Sequence, residues 1–241
     1  MLHTQKFNTA FREADTAPNT LTEGTYLQLR RDIIEGRLPP GEKLRVEHLK
    51  DRYNAGAGTL REALSLLLSD ALVISEGQRG FHVAPISLTD LEDITRTRVL
   101  VEGEALRQSI LAGDDEWEAR LVAAFHKLTK TEEKLGDREQ TRVREWEMRN
   151  REFHEALIAG CDSRWLRYLI GLLYRQSERY RHLAISHHSI PRDVHAEHTA
   201  IFDAALARDV DKALAAIETH IQLTFEAIRR LMPDIEAASG G

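Results

Sequence analysis

Apolar side chains recur at helical spacing from Thr22 through Tyr26, Leu29, Ile33 and Ile34, until Gly36 and the Pro39-Pro40-Gly41 run stop the pattern. Val46, Leu49 and Tyr53 mark a second, shorter helix, and the glycine-bearing stretch 54–58 after it reads as a turn. In the third helix Leu60, Ala63, Leu64, Leu67, Leu68 and Ala71 form one stripe. Thr59 and Glu62 have the Thr-x-x-Glu spacing of a capping box, which predicts that this helix starts at Thr59 with Arg61 in its first turn. Its outer face carries Arg61, Glu62, Ser65 and Ser69. The following VISEGQRGFHV alternates apolar and polar residues around two glycines, as a hairpin does.

Beyond Pro85 the pattern changes to long helical stripes. Helices are expected up to Gly113, Gly136 and Gly160, up to the residues before Pro191, to near Asp209 and finally to Pro233. The fold class that results is mainly α: an N-terminal winged helix-turn-helix with a small β-wing, then an all-α antiparallel bundle of six helices. The expected organisation is a flexible lead over 1–20, the winged module over 21–86, the bundle over 87–235 and a small-residue tail over 236–241.

Composition narrows the function. The 241 residues suffice for two domains, since one takes roughly 100–200 residues. No apolar run approaches the roughly 18 residues of a membrane span, and the polar first residues lack a signal-peptide core, so a cytoplasmic protein is expected. The single Cys161 excludes an internal disulfide framework. The formal net charge of -6 disfavours non-specific nucleic-acid binding, yet residues 1–86 hold 11 basic and 11 acidic side chains, so the deficit lies in the bundle. A neutral head needs a few well-placed contacts, doubled by a homodimer on a pseudo-palindromic operator. The DNA-facing set expected of it is Arg45, Thr59, Arg61, Ser65, Arg79 and Gly80.

Polar residues on inward stripes carry the second clue, because stability alone would fill those stripes with apolar side chains. Asn150 and His154 share a face with Trp146, Phe153, Leu157 and Cys161. His198 shares one with Val194, Ile201, Phe202 and Ala205, and His220 shares one with Leu214, Ile217, Thr224 and Ile228. Three imidazoles and an amide oxygen from separate helices suit a divalent transition metal, zinc by default; the alternative is that each is a hydrogen-bonded core residue. Arg98 also falls on an inward stripe, where it either pairs with Glu102 one turn on or binds the carboxylate of a small ligand, and Arg181 is a weaker second candidate.

GEKLRVEHLKDRYNAGAGTLREALSLLLSDALV with QRGFHV resembles the DNA-binding domain of the GntR transcription regulators. RVLVE, NREFH, EHTAIFDAALARD and the His-Ile pair at 220–221 resemble the effector-binding FCD domain of the FadR subfamily. LREALS, GDDEWEA and FHEALIAGC are similar to the CsiR-like, glutarate-responsive repressors. The resemblance implies a DNA contact at Arg61, a wing tip at Gly80, metal positions at Asn150, His154, His198 and His220, and an effector-facing arginine at Arg98. Two positions depart from it: Ala57 stands where many relatives have an arginine, and Asn150 where an aspartate is usual.

The expectation is therefore a non-enzymatic repressor released by a small carboxylic acid. Two other readings remain open, a DNA-binding protein whose bundle only dimerises and a metal-dependent hydrolase. The second lacks a His-Asp dipeptide and a His-Glu-x-x-His motif.

Overall fold

The computed structural model describes residues 18–77, 80–133, 140–187 and 192–239, with the side chains of 140–141, 183–187 and 233–239 outside that description. In chain order the elements are α1 (Leu21–Ile34), β1 (Lys43–Leu44), α2 (Val46–Tyr53), α3 (Ala57–Ser69), β2 (Val73–Ser75) and β3 (Phe81–Val83). There follow α4 (Leu88–Ala112), α5 (Asp115–Glu132), α6 (Gln140–Leu157), α7 (Arg164–His187), α8 (Val194–Leu206) and α9 (Val210–Ser239). Among the described residues the fold is the expected one: a winged three-helix head and six further helices.

The chain forms two compact units: residues 1–94 with 171–189 and 227–241, and residues 95–170 with 190–226. Helices α4, α7 and α9 thus run from one unit into the other, so compactness divides the chain differently from the sequence modules 21–86 and 87–235.

In the first unit, α1 starts where Thr20 accepts the Glu23 N–H and the Glu23 carboxylate takes the Asn19 N–H. Leu29, Ile33, Leu60, Leu64, Leu67 and Leu72 close its core. The wing pairs β2 with β3 antiparallel, Val73 opposite Val83. Lys43–Leu44 adds an edge strand to β3 that the sequence pattern did not predict, because two residues carry no periodicity.

Several expectations are corrected here. Helix α3 begins at Ala57, not Thr59: Gly56 is its N-cap without a side-chain bond, and the Glu62 carboxylate accepts from Thr22 Oγ1 at 2.9 Å rather than closing a capping box. The break after α2 needs only Asn54, which ends that helix in the left-handed conformation at φ 47°, so Ala57, a strong helix former, is free to extend α3. Arg61 is therefore in the second turn, and Ala57 lies inside the helix rather than before it. Leu68 is 41% exposed and not core, and Ala71 lies past the helix end at φ 56°. Helix α9 continues through Pro233 to Ser239 into the expected tail, since a proline removes one helical hydrogen bond without ending every helix it enters. Within the expected lead, Thr20 is a cap.

The same unit joins α7 to the head by buried polar contacts. Arg30 Nη2 meets Glu178 Oε2 at 2.7 Å, and Asp70 receives Tyr26 Oη, Arg175 Nη2 at 3.0 Å and, on its carbonyl, Gln176 Nε2 at 2.6 Å. Tyr180 Oη reaches Asp90 Oδ2 at 2.8 Å, and Arg179, 1% exposed, donates to the Ala84 carbonyl.

Burial, then the charge and hydrogen bond of Asp70, push the Tyr26 hydroxyl up from 10.0 to about 12. The proton is harder to remove in the folded chain than in the unfolded one, so this stabilisation is whole below pH 10 and is lost as pH rises through 12. Tyr26→Phe is expected to flatten the alkaline fall in stability over that interval by about 2–3 kcal/mol, read from denaturant unfolding at a series of pH values.

Candidate functional site

Two sites emerge, one in each unit. On the head, Arg61 and Ser65 are exposed on α3, and Arg45 is exposed as the N-cap residue of α2. Ser65 Oγ donates to the Arg61 carbonyl at 2.8 Å, which leaves its oxygen as an acceptor. Lys50, through its hydrogen bond at 2.7 Å and its charge, draws the Glu47 carboxyl below its ordinary value. Thr59 is half-buried on α3. Gly80 turns the wing at φ +88° with open space where a side chain would project, a conformation that L residues rarely adopt. Arg79 lies outside the described residues.

The second site is inside the other unit. Asn150 and His154 come from α6, His198 from α8 and His220 from α9, and all four are buried, at 3%, 5%, 0% and 7% exposure. One ring nitrogen from each of the three histidines lies within 4.8 Å of the others. The ring centroids of His154 and His220 are 5.2 Å apart, and those of His198 and His220 are 4.8 Å apart. Phe153 packs edge-on against His154 and His198, so the helical pattern that buried Phe153 also seats its polar neighbours.

Carboxylates surround the imidazoles. His198 Nδ1 is 2.8 Å from Glu132 Oε1, and His220 Nδ1 is 2.9 Å from Glu197 Oε2. Glu102 Oε2 lies 3.9 Å from His154 Nδ1, while its other oxygen takes the Arg98 Nε–H at 2.6 Å. Arg192 holds Glu197 through Nε at 2.6 Å and through Nη2, and also donates to Thr224 Oγ1 at 2.8 Å and the His220 carbonyl at 2.9 Å. Burial pushes the Glu132 carboxyl up, but the hydrogen bonds and charges of His198 and His195 outweigh it and hold the group below its ordinary value.

A metal fits these residues. His198 Nε2 is fully buried with no hydrogen-bond partner among the described residues, an orphan that a cation would satisfy. Three imidazoles are borderline donors suited to zinc or a neighbouring divalent ion.

Of the expected site residues, the structure brings together His154, His198 and His220, with Asn150 buried one helical turn before His154 on α6 and Arg98 one link away from His154 through Glu102. Of the two readings of Arg98, its pair with Glu102 is present. Arg181 belongs to the other compact unit, where its guanidinium lies 4.7 Å over the Tyr174 ring. Sequence reasoning missed Glu132, Glu197 and Arg192. Glu132 is 66 residues from His198 and ends its own helix, so no spacing pointed to it.

Residues 21–83 match the family described as bacterial regulatory proteins, gntR family, and residues 93–223 match the FCD domain. The chain is 45% identical over 225 residues to the uncharacterized HTH-type transcriptional regulator BphR of Paraburkholderia xenovorans, spanning 92% of each chain. It is 36% identical over 211 residues to the HTH-type transcriptional repressor GlaR of Escherichia coli, covering 86% of this chain and 95% of that one. The solved structure of E. coli McbR/YncC is alike in fold, with a TM-score of 0.70 at 21% identity over 88% of this chain and 99% of that chain.

Proposed function

The chain belongs to the GntR family of bacterial transcription regulators and carries its FCD domain, and on that premise we propose that it is a homodimeric repressor released from DNA by a small carboxylic acid bound at a divalent metal. The single observation that carries this reading is the cluster of three buried histidine nitrogens within 4.8 Å. The repressor sense rests on the relative named as one. It acts in the cytoplasm on a pseudo-palindromic operator.

The metal-holding residues would be His154, His198 and His220, with Asn150 as an oxygen donor. A bound divalent ion supplies a Lewis-acidic position for an anionic oxygen. All four donors are uncharged in the ligating form, so an ion keeps its full charge, which favours a carboxylate as the completing ligand. Arg98 is the candidate for a second carboxylate, as in a dicarboxylate such as glutarate, and that anion would compete with Glu102 for the guanidinium. Release from DNA requires the ligand to bind the DNA-competent and incompetent arrangements with different affinity.

On the head, Arg61 is the principal reader, with Arg45, Thr59, Ser65, Arg79 and Gly80 around it. Arg61→Ala is expected to weaken operator binding by about 1–3 kcal/mol per half-site, roughly 5- to 150-fold. Fluorescence anisotropy on the DNA upstream of the protein's own gene tests this, with random DNA as the reference. Equal loss on both DNAs would make Arg61 a phosphate contact, and no loss on either would remove it from the interface.

A further inference from the structure

We propose that Glu132 and Glu197 are the positioning carboxylates of the histidine cluster, each fixing the ring tautomer that leaves Nε2 of His198 or His220 as the nitrogen able to bind an ion. The inference rests on the metal reading above and adds residues that lie on helices other than those of the histidines they hold, Glu132 on α5 for His198 on α8 and Glu197 on α8 for His220 on α9. An ionised carboxylate has no proton to give, so across 2.8 Å Glu132 Oε1 must receive the Nδ1–H of His198. A neutral imidazole protonated at Nδ1 carries its lone pair on Nε2. That atom of His198 is the one the structure leaves fully buried without a hydrogen-bond partner among the described residues.

His220 follows by the same count of protons. Arg192 Nη2 lies 3.3 Å from His220 Nδ1, but its two hydrogens are directed to Glu197 Oε2 and to the His220 carbonyl at 2.9 Å. The shorter 2.9 Å contact from Nδ1 is to Glu197, which can only accept, so the proton resides on Nδ1 and the lone pair on Nε2. Arg192, donating to both oxygens of Glu197, holds that carboxylate in place. The other oxygen of Glu132 accepts from Nδ1 of His195, whose side chain is 48% exposed, so His195 braces the carboxylate from the solvent side. Carboxylates behind ligating imidazoles raise ligand basicity and orient the ring, and their removal typically weakens metal binding about 10–100-fold.

Glutamine at either position can offer its carbonyl oxygen or its amide N–H, so the tautomer is no longer imposed. The test measures zinc affinity of the full chain by competition with a chelating dye, for wild type, Glu132→Gln, Glu197→Gln and His198→Ala. Alongside it, 15N-resolved histidine spectra of the metal-free proteins report which ring nitrogen carries the proton. Expected are about 10- to 100-fold weaker zinc binding in each glutamine variant and loss of the Nδ1–H form at the matching histidine. Zinc lost in His198→Ala but bound as in wild type by both glutamine variants would overturn the positioning role and leave the metal reading standing. Zinc bound normally by His198→Ala would instead overturn the metal reading, and the tautomer spectra would still decide whether Glu132 sets the proton of His198. Should neither glutamine variant fold, an Nε2–H form of His198 in metal-free wild type would overturn the proposal.

Discussion

Alanine at His198 is expected to abolish the stabilisation that zinc confers on the wild-type chain. Free zinc at a hundred times its dissociation constant adds about 2.7 kcal/mol to a protein that binds it only when folded. For a chain of this size each kcal/mol moves the melting temperature by about 2–4 °C, so the wild type should gain roughly 5–11 °C and the variant nothing. The reason lies in where His198 sits. Its side chain is 0% exposed and Glu132 takes one of its nitrogens, while the other is buried with no hydrogen-bond partner among the described residues, where an ion would satisfy it. Metal-free, the variant should lose the Glu132 hydrogen bond and some packing against Phe153. Scanning calorimetry with added zinc and with a chelator separates the two effects. A zinc-induced shift equal to that of wild type would remove His198 from the donor set.

Glu178→Ala is expected to cost about 3–5 kcal/mol, because it leaves the Arg30 guanidinium buried without its carboxylate. The side chains are 9% and 11% exposed, so water cannot replace the lost partner as it would at Lys50 and Glu47, whose pair at 38% and 73% exposure should contribute at most about 1 kcal/mol. Replacing both partners, Arg30→Met with Glu178→Leu, should recover most of the loss, since neither member of the pair is then left buried without the other. Denaturant unfolding of the three proteins reads these differences. A single-variant loss under 1 kcal/mol would mean that the pair is hydrated and does not tie α7 to the head.

How much of this was legible in the chain depends on the range over which each signal acts. Helix stripes such as Leu60, Ala63, Leu64 and Leu67 are local, and they located the head and the six long helices, although α9 runs past its expected end at Pro233 to Ser239 and the end expected at Gly136 lies outside the described residues. The start of α3 was misplaced because the spacing of Thr59 and Glu62 is ambiguous: Glu62 had a partner on α1, 40 residues away, that no local rule reveals. Leu68 was assigned inward for a similar reason, since a stripe's edge is decided by what packs there. The inward histidines could be found because they interrupt apolar stripes. Their carboxylates could not, because Glu132 and Glu197 sit at helix positions where acidic residues are ordinary surface groups. The polar contacts of α7 with the head were equally silent: no spacing within QSERY points to Asp70, Arg30 or Ala84, all distant in the chain.

Whether a carboxylate acts through the metal cluster on DNA binding is decided by titrating the full chain, bound to DNA from upstream of its own gene, with dicarboxylates such as glutarate, first loaded with zinc and then stripped by chelator. Expected is a specific complex that one such acid dissolves in the zinc-loaded protein and not in the stripped protein or in His198→Ala. Release by the same acid at the same concentration in all three would contradict it.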